Sequence, residues 1–367
     1  MKKPYWLKQS YLKYKINNIL FSFTQIFISK NKNGKRVLIT ELDGIGDIIV
    51  KQKLVDLIAE KHGKENVVLL ATYGTELLEF MGYKCEVFTK NVHYNFFKLI
   101  NLFKKLCEYD IGILYSLEFS SEDKLDFLNK LRLKEIYAFK GGIIDNWKGK
   151  NVNLVEKEGT KVLDILSNYA RKFINPNVKK NQIIPRLNVE TFDGSYIAVG
   201  IGSSDKNKIA FPKKLAEFLE TITKEYPEMK FHILGYGKND LEYFKKIESC
   251  FSKKENLVCF VNKLDLVGTM HQIAHAKLYI GFDSGLYNIA YALKKKQICM
   301  VSINRGHDFF HEDENIRFVY KELDSRAETI TDSLGYNSEI SSISTSIFKE
   351  NFDFLFEESR KINTFIN

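Results

Sequence analysis

Cysteine is scarce in the sequence, and its five cysteines form no CxxC pair. They are Cys85, Cys107, Cys250, Cys259 and Cys299. An odd number of scattered cysteines indicates reduced, packed thiols and argues against a disulfide framework or a zinc knuckle. The first 30 residues lack the short apolar core and small-residue cleavage site of a secretory signal, so we expect a cytoplasmic protein.

Long apolar runs are also missing, because no stretch of about 18 apolar residues could cross a bilayer. The hydrophobic content of 44% and charged content of 28% are typical of a globular protein. A chain of 367 residues suits two domains of roughly 150 residues each. Two domains imply a cleft where ligands bind.

Acidic residues are absent from the first 36 positions, which carry part of the net charge of +9. The basic residues there are Lys2, Lys3, Lys8, Lys13, Lys15, Lys30, Lys32, Lys35 and Arg36. Apolar residues such as Trp6, Tyr11, Ile19 and Phe23 lie between them. This mixture predicts a helix that contacts an anionic membrane surface; the alternative is a helix packed on the protein with solvated lysines. No nucleic-acid motif accompanies the charge, so we predict no nucleic-acid partner.

Short β-branched runs alternate with amphipathic stretches from Lys35 onward, a pattern typical of parallel sheets built from βαβ units. The predicted strands are Arg36 to Thr40, Val67 to Ala71, Glu86 to Phe88, Ile111 to Tyr115, Glu135 to Phe139, Tyr196 to Gly200, Lys230 to Leu234, Leu257 to Phe260, Leu278 to Gly281 and Gln297 to Val301. The lysine- and asparagine-rich stretch around Pro176 and Pro185 indicates a linker. We therefore predict an α/β protein with two Rossmann-like, doubly wound domains that face a central cleft.

The predicted division is a basic amphipathic extension (1–34), a first domain (35–175), a linker (176–193), a second domain (194–325), and a polar stretch with a C-terminal helix (326–367). Ligands of such sheets bind beyond the carboxyl ends of the strands. The loops that follow the predicted strands are therefore the places to look for a site.

The loop after the first strand contains Asp43, Gly44, Gly46 and Asp47. It is neither a GxGxxG dinucleotide fingerprint nor a P-loop. Its glycines allow a tight turn, and one of its carboxylates could act as a general base near a sugar hydroxyl. The alternative is that Asp47 merely caps its helix, where the helix dipole favours negative charge.

Two loops of the second half resemble a diphosphate cradle. Asp283, Ser284 and Gly285 follow one strand and open a helix, so amides there form a ready anion site. The loop after the first strand of this half adds small residues and lysines. Its candidate binding residues are Gly202, Ser203, Ser204, Lys206 and Lys208.

Over about residues 35 to 305 the chain resembles glycosyltransferase family 9, the heptosyltransferase family of lipopolysaccharide core assembly. Four stretches match in order: Ile45-Gly46-Asp47; Gly200 to Ser204 before Phe211-Pro212; Phe231 to Gly237; and Asp283-Ser284-Gly285. The resemblance implies a GT-B-type fold with an N-terminal acceptor domain and a C-terminal nucleotide-sugar domain. It also implies an inverting, metal-independent transfer of a sugar, by default heptose, to a lipopolysaccharide-type or other surface glycan.

The resemblance assigns the catalytic base to Asp47 and donor binding to the Asp283-Ser284-Gly285 turn, Asn288, and Lys208 or Lys206. The acceptor loop is Asp43, Gly44 and Gly46. The resemblance implies two partners, a nucleotide-diphosphate sugar and a glycan or glycolipid acceptor. The basic N-terminal extension predicts a third, the anionic surface of the inner face of the inner membrane. No cofactor is expected, because the chain has no convincing DxD motif. His271 and His275, like His307 and His311, have the spacing that places two imidazoles on one helix face. Neither pair is accompanied by the glutamate of an HExxH motif, so we expect no metal site at either pair.

The chain departs from the family at several positions. The family usually has Arg at Glu41, Pro at Lys53 and His at Asn288, and the lysine expected three residues before its Trp-Pro stands at Lys208, four before Pro212. Two other functions are therefore kept: a non-catalytic binding or scaffold protein derived from the family, and a nucleotide-sugar 2-epimerase of the same architecture.

Overall fold

The computed structural model describes residues 16–17, 19–24, 28, 34–88, 92, 95–117, 127–128, 130–131, 133–141, 144, 151–159, 161–203, 205–302, 314–320 and 336–364, of which 357–364 are described by their backbone only. Contacts divide the chain into two compact units. One comprises Met1–Gly159 and Asp164–Ile183, and the other comprises Thr160–Leu163 and Ile184–Asn367.

The first unit is built on a six-stranded parallel sheet with the spatial order β3-β2-β1-β4-β5-β6. Its strands are β1 (Arg36–Leu42), β2 (Val67–Ala71), β3 (Lys84–Val87), β4 (Ile111–Ser116), β5 (Glu135–Phe139) and β6 (Val152–Val155). Its helices are α1 (Ile45–His62), α2 (Thr75–Phe80), α3 (Phe96–Glu108) and α4 (Val162–Phe173).

Burial explains why these segments adopt their structures. All five residues of β2 are buried, as expected for a parallel strand covered on both faces. In α3, buried Leu99, Leu102, Phe103 and Leu106 recur at the spacing of one helix face and enter the apolar core. The N-terminal helical residues reach the same core through Phe21, whose ring centroid lies 5.1 Å from that of Phe103.

The second unit repeats this architecture with the strand order β12-β11-β10-β7-β8-β9. Its strands are β7 (Tyr196–Gly200), β8 (Lys230–Leu234), β9 (Leu257–Cys259), β10 (Leu278–Phe282), β11 (Gln297–Met300) and β12 (Ile316–Val319). Its helices are α5 (Pro212–Glu225), α6 (Lys238–Cys250), α7 (Leu266–Ala274), α8 (Gly285–Ala292), α9 (Ser338–Ser341) and α10 (Thr345–Thr364). Phe348 of α10 stacks on Phe218 of α5, which ties the last helix to this core.

Both sheets have the strand order of a Rossmann fold, counted from the first strand of each unit. In each, the order reverses beside the first strand, between β1 and β4 and between β7 and β10. The predicted α/β class with two Rossmann-like domains is therefore confirmed. The crevice at such a reversal is where ligands of these sheets bind, so the loops after β1, β7 and β10 are the relevant ones.

The sequence predicts four strands to the residue. The bounds of β2, β5, β7 and β8 match the predicted segments. The prediction omitted β6 and β12, two four-residue strands at sheet edges that contain Asn153 and Arg317 and lack a long apolar run. Within the described residues, every helix is too short or too polar to span a bilayer.

Candidate functional site

The loop after β1 presents Asp47 in the first turn of α1. The helix begins at Ile45, so Asp47 is its third residue and Gly44 occupies the cap position. Asp47 is therefore not the N-cap residue, and the helix dipole favours its negative charge. Its side chain is 43% exposed. A Cβ at residue 44 would lie 3.4 Å from Asp47 Oδ2, an ordinary van der Waals contact, so Gly44 and the carboxylate are close neighbours.

Asp43 is held in a different way from Asp47. Its Oδ1 lies 2.6 Å from the hydroxyl of Thr72, which stands just after β2 and is also 3.1 Å from the carbonyl of Phe88. Asp43 is therefore fixed to the neighbouring strand ends by a short hydrogen bond. Gly46 is the second residue of α1. Both of the carboxylates that the sequence offered are partly exposed.

Sequence reasoning missed the role of Lys51, one turn beyond Asp47. Its ammonium donates to the carbonyl of Glu41 at 2.7 Å and lies 3.4 Å from Asp47 Oδ1. Glu41 is buried and has a φ of +70°, which is uncommon for a residue other than glycine. The i,i+4 spacing of Asp47 and Lys51 was the available signal.

The loop after β10 leads into the N-terminus of α8 with Ser284 as the cap residue. The Ser284 side chain accepts no capping hydrogen bond, and the first turn of α8 contains no acidic residue. The amides at this helix start are therefore oriented to receive an anion. The Asn288 amide donates to the carbonyl of Ser284 at 2.8 Å and supports the turn from within the helix.

A buried layer of tyrosines lies beneath this turn. The Tyr279 hydroxyl lies beside that of Ser284, and the Tyr287 hydroxyl lies beside the Asn288 side chain. A Cβ at Gly200 would come within 2.1 Å of the Tyr279 hydroxyl, so glycine is required there to admit it. Burial raises the pKa of both phenols, which therefore stay neutral. Ser284 Oγ and Asn288 Oδ1 are buried without a hydrogen bond of good geometry among the described residues.

Lys208 joins the loop after β7 to the loop after β10. Its ammonium lies 2.8 Å from Asp283 Oδ2, and the two side chains are 25% and 11% exposed. Ser203 Oγ lies 3.4 Å from the carbonyl of Asp283 and makes a second contact between the loops. Lys206, by contrast, lies over the ring of Tyr336. Lys208 is therefore the lysine placed beside the start of α8.

Gly202 and a third loop complete the carboxyl edge of this sheet. A Cβ at Gly202 would lie 2.3 Å from Asp240 Oδ2, so the loop after β7 approaches the first turn of α6 closely. Asp240 accepts a hydrogen bond from the amide of Tyr236 at 2.9 Å. Burial raises the pKa of Asp240, and the Tyr236 amide opposes that effect.

Ser204, His307 and His311 lie outside the described residues. Across the described ranges, no three His, Cys, Asp or Glu residues are grouped as metal ligands.

No family model matches the chain. A curated relative, lipopolysaccharide heptosyltransferase 1 of Campylobacter coli, is 26% identical over 185 residues, which cover 46% of this chain and 52% of the relative. The match thus spans about half the length of that relative.

Solved structures show the same fold over most of the chain. The E. coli ADP-heptose lipopolysaccharide heptosyltransferase II has a TM-score of 0.70 at 15% identity, covering 89% of this chain and 99% of its own. A glycosyl transferase of family 9 from Veillonella parvula has a TM-score of 0.66 at 13% identity, covering 90% of this chain and 100% of its own. At these identities the likeness shows the fold, and it confirms the GT-B-type class. Together with the curated relative, it confirms the resemblance to family 9 heptosyltransferases.

Proposed function

We propose that this protein is an inverting glycosyltransferase that moves a sugar, by resemblance heptose, from a nucleoside-diphosphate donor to a lipopolysaccharide-type or other surface glycan. The observation that carries the proposal is the start of α8. Its amides are not capped by Ser284, its first turn lacks acidic residues, and Lys208 lies beside it. The donor class and the acceptor class are proposed by similarity, because the chain resembles a lipopolysaccharide heptosyltransferase and an ADP-heptose lipopolysaccharide heptosyltransferase.

The second domain holds the donor in this proposal. The diphosphate accepts hydrogen bonds from the first amides of α8, where the helix dipole also favours negative charge. Lys208 is paired with Asp283 in the structure, so its ammonium is already held at the loop. We assign donor binding to these groups and to Gly202, Ser203, Ser204 and Asn288. Of the two candidate lysines we assign Lys208 and not Lys206, which lies over the ring of Tyr336. The amides and Lys208 supply positive charge to the leaving diphosphate, and the transfer therefore proceeds without a divalent metal.

Asp47 supplies the base. It takes the proton from an acceptor hydroxyl as that oxygen attacks the anomeric carbon, and the bond from that carbon to the diphosphate oxygen breaks. The electron pair of the broken bond leaves with the diphosphate. One displacement inverts the anomeric centre. The exposed position of Asp47 and the charge of Lys51 beside it are consistent with an ionised base that meets an acceptor.

The direct test is transfer in the presence of a chelator. Purified protein is incubated with EDTA, ADP-heptose or other nucleotide sugars, and truncated lipopolysaccharide acceptors, and the products are analysed by mass spectrometry. We expect the acceptor to gain one sugar and a nucleoside diphosphate to be released. Binding of nucleotide sugar without transfer would support the scaffold alternative, and conversion of the donor to its 2-epimer would support the epimerase alternative. Transfer that requires added metal would overturn the metal-independent mechanism.

We also propose that the N-terminal helical residues contact an anionic membrane on the cytoplasmic side. Phe21 anchors them to the first domain, whereas four apolar side chains at the spacing of one helix face point to solvent. These are Ile16, Ile19, Leu20 and Phe23, which are 48%, 58%, 46% and 65% exposed. The first 36 residues carry nine basic residues and no acidic ones. Apolar residues on one face combined with net positive charge favour an anionic lipid interface.

Sedimentation with vesicles tests this membrane contact. We expect the protein to sediment with phosphatidylserine-containing vesicles at low salt and less at high salt, because salt screens the attraction. The double variant Ile19→Ser/Phe23→Ser is expected to bind weakly. Phe97→Ser is the matched control, since Phe97 is an exposed apolar residue of the same domain. Equal, salt-insensitive sedimentation of all three proteins would remove the proposal.

A further inference from the structure

Lys51 is a nearly buried lysine that touches the proposed base. Its side chain is 5% exposed, although it lies one turn of α1 beyond Asp47, whose side chain is 43% exposed. A buried ammonium is stable only when acceptors replace the water it has lost. The structure provides such acceptors in the carbonyl of Glu41 at 2.7 Å and the carboxylate of Asp47 at 3.4 Å. Lys51 therefore links the end of β1 to the first turn of α1.

The end of β1 sets the position of this ammonium. Glu41 has a left-handed backbone, and the pairing of β1 with β2 shifts register between Ile39 and Leu42. A residue other than glycine keeps such a backbone only where its surroundings enforce it. This irregular turn directs the Glu41 carbonyl to the ammonium of Lys51. The shorter of the two contacts is to that carbonyl, so the backbone fixes the lysine and the lysine then meets the carboxylate.

We propose that Lys51 is a positioning residue for Asp47, orienting its carboxylate and keeping it anionic. This inference rests on the proposed role of Asp47 as the base. Glu41 and Asp43 add negative charge to the same loop, which opposes the ionisation of Asp47. A cation within about 4–6 Å favours ionisation of a carboxyl group, and the Lys51 ammonium is such a cation for Asp47. Because the Glu41 carbonyl holds the Lys51 ammonium, the lysine stabilises the anionic form of Asp47 without covering its exposed side.

The inference can be tested without catalysis by titrating the Asp47 carboxyl group. Protein with 13C-labelled aspartate is followed by NMR, and Asp47→Asn identifies the signal. We expect Lys51→Met and Lys51→Gln each to raise the pKa of Asp47 by about 1 unit or more, because both remove the positive charge. Lys51→Gln can still donate to the Glu41 carbonyl and serves if Lys51→Met does not fold. Lys53→Met is the matched control, since Lys53 lies two residues after Lys51 on the same helix and pairs with Asp56.

Catalysis then provides a second, separate readout. The acidic limb of the kcat profile is expected to move to higher pH in Lys51→Gln by the same amount as the carboxyl titration, with the donor KM changed less than about twofold. Lys51→Arg should restore the wild-type profile. An unchanged Asp47 titration in both neutral variants, or the same shift in Lys53→Met, would overturn the inference. Full transfer by Asp47→Asn would instead overturn the proposed function, and the titration would still decide the effect of Lys51 on Asp47.

Discussion

The loop after β1 and the loop after β10 have the same construction and opposite electrostatics. Each follows a buried strand beside the point where its sheet order reverses, and each opens a helix whose cap residue has an extended backbone and makes no side-chain capping bond. The first loop places Asp47 in the first helical turn. In the second, the acidic residue precedes the cap and is paired with Lys208.

This difference supports the separate tasks that we propose for the two loops, whose backbones are similar. A carboxylate at the third helical position repels a phosphate and suits proton abstraction. Uncapped amides with a lysine beside them attract a phosphate and suit donor binding. The functional distinction that we propose therefore comes from a few side chains and not from the Rossmann-like fold, which the two domains share. A variant in the first loop should therefore lose sugar transfer and keep donor binding, and a variant in the second loop should lose donor binding.

The largest expected effect is on the first loop. Asp47→Asn should lower sugar transfer by about 100- to 10,000-fold, because an amide of the same shape cannot accept the acceptor's proton. Donor affinity, measured by calorimetry, should stay within about twofold because donor binding belongs to the other loop. Asp43→Asn is the control: its Oδ1 can still accept from the Thr72 hydroxyl, so its cost should be smaller. Wild-type turnover in Asp47→Asn would refute its role as the base.

The next effect concerns the second loop. Gly285 is the first residue of α8, a position that tolerates proline, so Gly285→Pro removes one amide donor while leaving the helix able to form. We expect the dissociation constant of the nucleoside diphosphate to rise about 10- to 100-fold, the cost of losing a hydrogen bond to a charged group. Gly285→Ala keeps the amide and is the control for the added side chain. Unchanged affinity in a folded Gly285→Pro protein would count against the helix start as the anion site.

A smaller effect is expected when Lys208 is replaced. Lys208→Met should weaken nucleoside-diphosphate binding by about fivefold, since the pair with Asp283 is partly exposed and screened by solvent. Adding Asp283→Asn should restore part of the affinity, because it removes the carboxylate that Lys208 neutralises. Lys206→Met is the control, as Lys206 lies over Tyr336. If the Lys206 variant lost more affinity than the Lys208 variant, the assignment of the two lysines would be reversed.

The smallest expected effect is on the loss of thermal stability at low pH, which involves one histidine in each domain. Burial lowers the pKa of His62 in the first domain and of His232 in the second below the usual 6.5. These histidines bind a proton more readily in the unfolded chain than in the folded one. The stability that the neutral histidines contribute is therefore fully present above pH 6.5 and is lost as the pH falls through their folded-state pKa. His62→Gln and His232→Gln should each reduce the acid-induced fall in Tm by about 2 °C or less. Thermal unfolding between pH 8 and pH 5 measures this, and an unchanged slope in both variants would contradict it.

How much the sequence predicts depends on the range of the interaction. Glycines at a strand-to-helix boundary identify the loops of Asp47 and Ser284, because strand, turn and helix signals are all local. The sequence does not reveal that Lys208 meets Asp283 or that Asp240 fills the space left by Gly202, because these contacts join distant segments. Lys51 was missed for another reason: its partner is a backbone carbonyl, directed by the unusual φ of Glu41. Short edge strands such as β6 carry too little apolar pattern to be recognised.

The most direct test of the two-loop account is thermal stabilisation by nucleoside diphosphates in the presence of EDTA. A ligand that binds only the folded state raises Tm by mass action. The account predicts the same rise in Tm for the wild-type protein and Asp47→Asn, and a much smaller rise for Gly285→Pro at the same ligand concentration. A rise that disappears with EDTA, that is lost in Asp47→Asn, or that persists unchanged in folded Gly285→Pro would contradict it.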